Sequence, residues 1–142
     1  MAITLDHTIV PAHDKVASAK FFAKIFGLAY DRPTGPFAPV QINETLTFDF
    51  DDRRQGFEVH HYAFHVSDEE FDAIFQRVKD AGLTFGSQPW TPEDMQVRVV
   101  GNGRVIFFRD LDRHLLEIRT RTSRREAADA GSKTALDRHS QS

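Results

Sequence analysis

GNGRVIFFRDLDRHLLEIRT, residues 101–120, reads as two short strands turned about Asp110–Arg113, and its alternation sets the pattern for the rest of the chain. Period-2 geometry puts His114, Leu116, Ile118 and Thr120 on one face of the last strand and Leu115, Glu117 and Arg119 on the other. The face of Leu116 and Ile118 is a core face. Glu117 is thereby directed to the opposite side of the sheet. A carboxylate in mid-strand is disfavoured by propensity and costly to bury alone, so it needs water or a partner there. A metal ion is one such partner.

The same pattern recurs upstream. HHYAFHV at 60–66 places Tyr62, Phe64 and Val66 on one face of a strand and His61, Ala63 and His65 on the other. Ser67 and Glu70 form a capping box ahead of Phe71, Ile74, Phe75 and Val78, which predicts a helix over about 68–81 stopped by Gly82. Residues 3–10 alternate as a strand, with His7 the polar exception beside Ile3, Leu5 and Ile9; Pro11 ends it. Asp14 then caps a helix over roughly 15–26, and Gly27 terminates it. Thr45–Asp51 reads as a strand with Leu46, Phe48 and Phe50 on one face and Thr45, Thr47, Asp49 and Asp51 on the other. Residues 31–39, with Pro33, Pro36 and Pro39, and residues 84–94, with Pro89, Trp90 and Pro92, read as loops of the kind that border sites. MQVRVV at 95–100 and GRVIFF at 103–108 complete the set as short strands.

These segments form two copies of one unit. A shift of 54 residues carries His7 to His61, Asp14 to Asp68 and Phe21 to Phe75. A shift of 68 carries Phe48-Asp49-Phe50 to Leu116-Glu117-Ile118, so the second copy is longer, and the extra length falls within 84–104. Repeated units of this size pack about a pseudo-two-fold axis, which draws the equivalent residues His7, His61, Asp49 and Glu117 towards one locus.

Composition narrows the possible functions. The chain of 142 residues is one domain's worth, or two small modules sharing a core, and 40% hydrophobic content with thirteen Phe suffices to fill it. A net charge of −3 gives no case for nucleic acid or an anionic membrane surface. No apolar run is long enough to span a bilayer, and MAITLDHTIV lacks the basic and apolar regions of a signal peptide, so a cytoplasmic location is expected. The absence of cysteine excludes disulfides, thiolate ligands and a cysteine nucleophile. Residues 1–121 are expected to form one domain, with module 1 at about 1–55 and module 2 at about 58–121, linked by the polar DDRRQGFE. Residues 122–142 are expected to be a flexible polar tail.

Strand-initial His7, HHYAFHVSDEEFDAIFQRVKDAGL at 60–83 and RVIFFRDLDRHLLEI at 104–118 together resemble the vicinal-oxygen-chelate superfamily. This superfamily includes glyoxalase I, extradiol dioxygenases, fosfomycin-resistance thiol transferases and bleomycin-resistance proteins. The resemblance, over about residues 4–120, implies an α+β fold of two βαβββ modules whose curved mixed sheets enclose a metal and substrate cavity. It implies His7, His61 and Glu117 as ligands of a divalent ion (Ni, Zn, Mn or Fe), with Asp49 at a fourth position. The family's Asp-Pro-Asp/Asn-Gly-His turn is here Asp110-Leu111-Asp112-Arg113-His114. If Arg113 takes the glycine's left-handed conformation, the strain is on the order of 1 kcal/mol.

Around that metal, Glu117, Asp49 and His65 are the expected proton-handling groups. His65 stands two residues past His61 on the same face, about 7 Å along the strand. Arg98 could meet an anionic substrate group, and Trp90 and Phe37 could wall the cavity. The expected function is a divalent-metal-dependent reaction on a small molecule with vicinal oxygens, of lyase or isomerase type first. Extradiol-type dioxygenase or thiol-transferase chemistry, and metal-free sequestration of a drug or metabolite, remain open. Each module has too little surface to enclose a substrate by itself. The completing module can come from the same chain or from a second one; the resemblance implies a second, and a homodimer is expected, with two sites that each take His7 from one chain and His61 with Glu117 from the other.

Overall fold

The structure is a computed structural model that describes residues 3–122; the tail expected at 122–142 lies, from residue 123 on, outside the described residues. Helix α1, Lys15–Phe26, begins where the Asp14 carboxylate accepts from the Ala17 N–H, and ends at Gly27 with φ of 71°. Helix α2, Asp68–Asp80, begins at the reciprocal capping box of Ser67 and Glu70. Its first turn carries Asp68, Glu69 and Glu70 and its last turn Arg77 and Lys79, which matches the helix dipole at both ends.

Eight strands accompany the helices among the described residues. Module 1 holds β1, His7–Pro11, β2, Ala38–Gln41, and β3, Thr47–Asp51, in the order β1-β3-β2. Module 2 holds β4, His61–His65, β5, Phe85–Gly86, β6, Arg98–Val100, β7, Gly103–Arg109, and β8, Leu115–Arg119; the order is β4-β8-β7-β5, with β6 also paired to β7. In each sheet the first strand runs parallel to the last. The repeat read from sequence is present in the pairing itself. His7 lies opposite Thr47 and Ile9 opposite Asp49, while His61 lies opposite Leu115 and Ala63 opposite Glu117. The fold is α+β, built of two βαβββ-like modules in mixed sheets.

Several boundaries differ from the sequence reading: β2 begins at Ala38, inside the segment 31–39 read as a loop, and β6 begins at Arg98 rather than Met95. The first strand starts at His7 rather than Ile3, because β3 begins only at Thr47, whose N–H bonds the Asp6 carbonyl and closes the ladder there. Phe85–Gly86 is a two-residue strand inside a segment read as loop. Gly86 is required at that point: a Cβ would lie 2.0 Å from the Thr91 carbonyl oxygen, so the loop after it folds directly across the strand. Asp94 holds this loop by accepting from the N–H groups of Ser87 and Gln96 and from the Ser87 hydroxyl.

Both modules share one core. Phe22 of α1 meets Phe48 and Phe50 of module 1 and Phe64 of module 2, with ring centroids 5.3, 6.0 and 5.8 Å away. Phe26 bridges onward to Phe64 and Phe108. Period 2 therefore commits Phe48, Phe50, Tyr62, Phe64, Leu116 and Ile118 to that core, and the alternate residues of each sheet face away from it. Those outer faces carry His7 with Asp49, and His61 with Glu117.

Candidate metal centre

The outer face of module 2 is laid out in rows by the strand register. One row is Arg98, Val105, Arg119 and His65; the next is Phe107, Glu117 and Ala63; the third is Arg109, Leu115 and His61. Glu117 thus sits at the centre, and Ala63 beside it leaves room above the sheet. Glu117 is buried, with 5% of its surface exposed, and both carboxylate oxygens are engaged. Oε1 lies 2.9 Å from His61 Nε2, and Oε2 accepts from Arg119 Nη1 at 2.7 Å. Arg119 is itself buried and donates through Nε to the Arg121 carbonyl.

The His61–Glu117 spacing suits a metal. Two donors each about 2.1 Å from one ion and at right angles to each other stand about 3 Å apart. An ion replacing the proton between His61 Nε2 and Glu117 Oε1 would find its ligands already near that spacing. Imidazole and carboxylate are also the donor types that Mn, Fe, Ni and Zn accept.

Module 1 supplies a second, more open half of the arrangement. His7 is exposed, and its Nδ1 lies 2.8 Å from the Asp6 carboxylate, which would leave Nε2 to meet an ion, in the carboxylate–histidine pattern of metal sites. That hydrogen bond raises the pKa of His7. Asp49 faces the same side, and burial pushes its carboxyl up. His7 and Asp49 are near enough to interact through their charges. Within one chain, however, no metal-binding group of three donors among the described residues includes His7, His61 and Glu117. In a single chain the four repeat-equivalent residues lie in two pairs, His7 with Asp49 and His61 with Glu117, not at one locus.

The remaining residues expected at the site divide into two groups. Arg98 is on the Glu117 face, with its guanidinium 5.8 Å from the Phe107 ring centroid and bonded to Gln88. His65 is there too, with Nε2 3.2 Å from the Thr120 carbonyl. Trp90 is 76% exposed in the loop after β5, and Phe37 lies under Arg53 in the loop before β2. Neither aromatic stands beside Glu117 in the contacts of this chain. The sequence reading gave no role to Arg119, Arg109 or Phe107, although each occupies an outer-face position and Arg119 lies two residues past Glu117 on its own strand.

A tighter donor cluster is Asp110, Asp112 and His114, whose ligand atoms lie within 4.8 Å of one another. Its donors are already committed. His114 Nδ1 accepts from the His60 N–H, and Nε2 lies 2.7 Å from the Pro11 carbonyl. Asp112 accepts from the His13 N–H and the Ser18 hydroxyl, and Asp110 Oδ1 accepts from the N–H groups of Asp112 and His114. An ion there would have to displace these bonds, so the cluster is a structural joint. Arg113 within it has φ of 68°, the left-handed conformation that its place in the turn implies.

Comparison with known proteins agrees with this architecture. The oxidase ChaP-H2 superposes with a TM-score of 0.81 and 43% sequence identity, covering 86% of this chain and 96% of that one. A variant of the fosfomycin resistance protein FosX from Listeria monocytogenes, complexed with Mn(II) and 1S,2S-dihydroxypropylphosphonic acid, superposes with a TM-score of 0.65 and 26% identity, covering 89% of this chain and 96% of that one. By sequence, FosX of Listeria monocytogenes is 39% identical over 62 residues, which is 44% of this chain and only 41% of that protein's length. Among the described residues no helix is long and apolar enough to cross a membrane. The profile of the Glyoxalase/Bleomycin resistance protein/Dioxygenase superfamily matches residues 4–118, and the chain belongs to that superfamily.

Proposed function

We propose that the protein is a divalent-metal-dependent enzyme acting on a small substrate through two adjacent oxygens. Its ion is held by His7 of one chain and by His61 and Glu117 of a second chain in a homodimer. The observation that carries this reading is the His61–Glu117 pair at 2.9 Å in the centre of an outer sheet face, with its repeat-equivalent, His7, exposed on the other module.

Three features support a second copy as the missing partner. β1 and β4 are both edge strands, with one side of each backbone unpaired by any strand among the described residues. Ile3, Leu5 and Ile9, which alternate with His7, are 103%, 62% and 40% exposed, an unusual apolar run on a free edge. The outer faces are also complementary in charge, with Asp49 and Asp51 on module 1 and Arg98, Arg109 and Arg119 on module 2.

A bound divalent ion would polarise the substrate oxygens and stabilise negative charge developing on them. The chain's own residues do the rest. Arg119 holds the Glu117 carboxylate in place through its Nη1 bond to Oε2. Phe107 lies beside Glu117 on the side away from Ala63, with Arg98 next to it, so an apolar body with an anionic group would fit against these two residues. Asp49, its carboxyl raised by burial, and His65 are the groups that would take up or return a proton. Likeness to an oxidase over nearly its whole length favours oxidative chemistry with Fe(II) or Mn(II) over the lyase or isomerase reaction first expected. That second reading keeps support from the proton-handling groups. Metal-free sequestration is the reading opposed to both.

Elemental analysis separates sequestration from catalysis: near one transition metal per chain supports the enzyme, and none after repletion ends that reading. Oxygen uptake with catechols, set against loss of α-oxoaldehydes, separates the two reactions. Shared sites are tested by mixing a His7→Ala chain with a Glu117→Ala chain. Each variant alone should be inactive, and the heterodimer should regain one intact site. No recovery after confirmed subunit exchange would place the site within one chain.

A further inference from the structure

We propose that His114 is a positioning residue for the metal centre, setting the separation of the His7 strand from the His61 strand within each chain; this rests on the shared metal site proposed above. The ring is fully buried and bridges the two modules. A backbone N–H can only donate and a carbonyl only accept. Nδ1 must therefore accept from His60, at 2.8 Å, and Nε2 must donate to Pro11, at 2.7 Å. Pro11 ends the strand that begins with His7, and His60 immediately precedes His61. His114 also leads directly into the strand that carries Glu117, and the Leu115 N–H returns a bond to the His60 carbonyl at 2.8 Å. One imidazole thus ties together the backbone of all three donor strands.

The surroundings keep that ring from turning. It packs against His60, Phe57 and Tyr62, with centroids 5.2, 5.7 and 6.0 Å away. Asp112 anchors the same turn to the start of α1 through the Ser18 hydroxyl at 2.6 Å. In a two-fold dimer each chain contributes one half-site to each of two centres. Both centres can close together only if the half-sites of a chain stand at the separation that the dimer axis demands. A rigid ring with a donor on one edge and an acceptor on the other fixes that separation more tightly than apolar packing, which tolerates small slides.

Titration of the full chain with Mn(II), followed by electron paramagnetic resonance, tests the inference beside thermal unfolding. His114→Phe retains an aromatic ring and removes both bonds; a Mn(II) affinity at least about tenfold weaker is expected, as for residues that orient metal ligands. Should that variant not fold, His114→Gln retains a donor and an acceptor without the rigid span, and the same weakening is expected. Ser18→Ala loosens the same joint without touching the ring, so its unfolding temperature should fall while its Mn(II) affinity stays at the wild-type value. Wild-type Mn(II) affinity in a folded His114 variant would overturn the positioning role, as would equal weakening in Ser18→Ala. Failure of the wild type to bind Mn(II), or full binding by Glu117→Gln, would instead overturn the metal reading on which it rests.

Discussion

The outer faces of the two modules are repeats of one pattern, yet they occupy opposite electrostatic states. In module 2 the central carboxylate is buried and held between His61 and Arg119. In module 1 its equivalent, Asp49, is half-buried beside an exposed histidine. The position equivalent to Arg119 is Asp51, so the charge is inverted, and Arg53 from the linker pairs with it at 2.9 Å and draws its carboxyl down to about 2. The His61–Glu117 pair is therefore organised by its own chain, and the His7–Asp49 pair is an open, acidic counterpart. The difference shows how a duplicated unit can specialise: in the site proposed above, one copy would hold its ligands rigid, and the other would supply a donor and a complementary charge.

The largest expected effect comes from breaking the organised half. Glu117→Gln removes a metal donor and also the charge partner of a buried arginine, so Mn(II) affinity should fall at least about a hundredfold and stability by about 3 kcal/mol in urea unfolding. Adding Arg119→Met should restore much of the stability and none of the affinity. An unchanged unfolding midpoint in Glu117→Gln would mean that the Arg119 pair is not what distinguishes the modules.

A cleaner contrast comes from the two histidines. His7→Gln alters an exposed side chain, so its stability should stay within about 0.5 kcal/mol of wild type. If the site is shared, its Mn(II) affinity should nevertheless drop as far as that of His61→Gln. Wild-type affinity in His7→Gln would leave module 2 as the whole site. Gly86→Ala probes the extra length that only module 2 carries. Its Cβ collides with the backbone of Thr91 and Pro92, and a stability loss of about 2 kcal/mol is expected with little change in metal affinity.

Much of this contrast was legible in the sequence. Caps and stops gave both helices almost to the residue, because Asp14, Gly27 and the Ser67–Glu70 box act locally and tertiary packing does not move them. Period 2 placed His7, Asp49, His61 and Glu117 on the outer faces for the same reason. What escaped was set by contacts distant in the chain. The partner of Arg119 and the bridging role of His114 depend on register and on module docking, which alternation alone does not reveal. A signal for His114 was present: a histidine at a core-face position beside Leu116 and Ile118 needs hydrogen-bond partners, and only the fold identifies them as Pro11 and His60. The four outer-face residues lie in two separate pairs within one chain because the shared Phe22–Phe64 core joins the modules through their inner faces.

The smallest expected effect separates the two equivalent turns. In module 1 the Asn43 side-chain oxygen accepts from the N–H groups of Thr45 and Leu46, both at 2.9 Å, on an exposed corner. In module 2 Asp110 does the same for Asp112 and His114, at 2.9 and 2.8 Å, beneath the inter-module joint. An amide suffices for the geometry, so the carboxylate brings a cost its counterpart avoids. Burial, with the charge of Asp112 adding to it, raises the Asp110 carboxyl from 3.8 to about 6. A carboxyl whose folded pKa lies above its unfolded value favours the folded chain fully below the unfolded value, and that contribution is lost as pH rises through the folded one. Asp110→Asn makes the second turn chemically like the first and carries no such dependence. Urea unfolding should therefore find the variant more stable than wild type at pH 7.5, by on the order of 1 kcal/mol. The advantage should shrink as pH falls through about 6 and disappear near 4. A gain that stayed constant across that range would trace the difference between the turns to packing instead of to the buried charge.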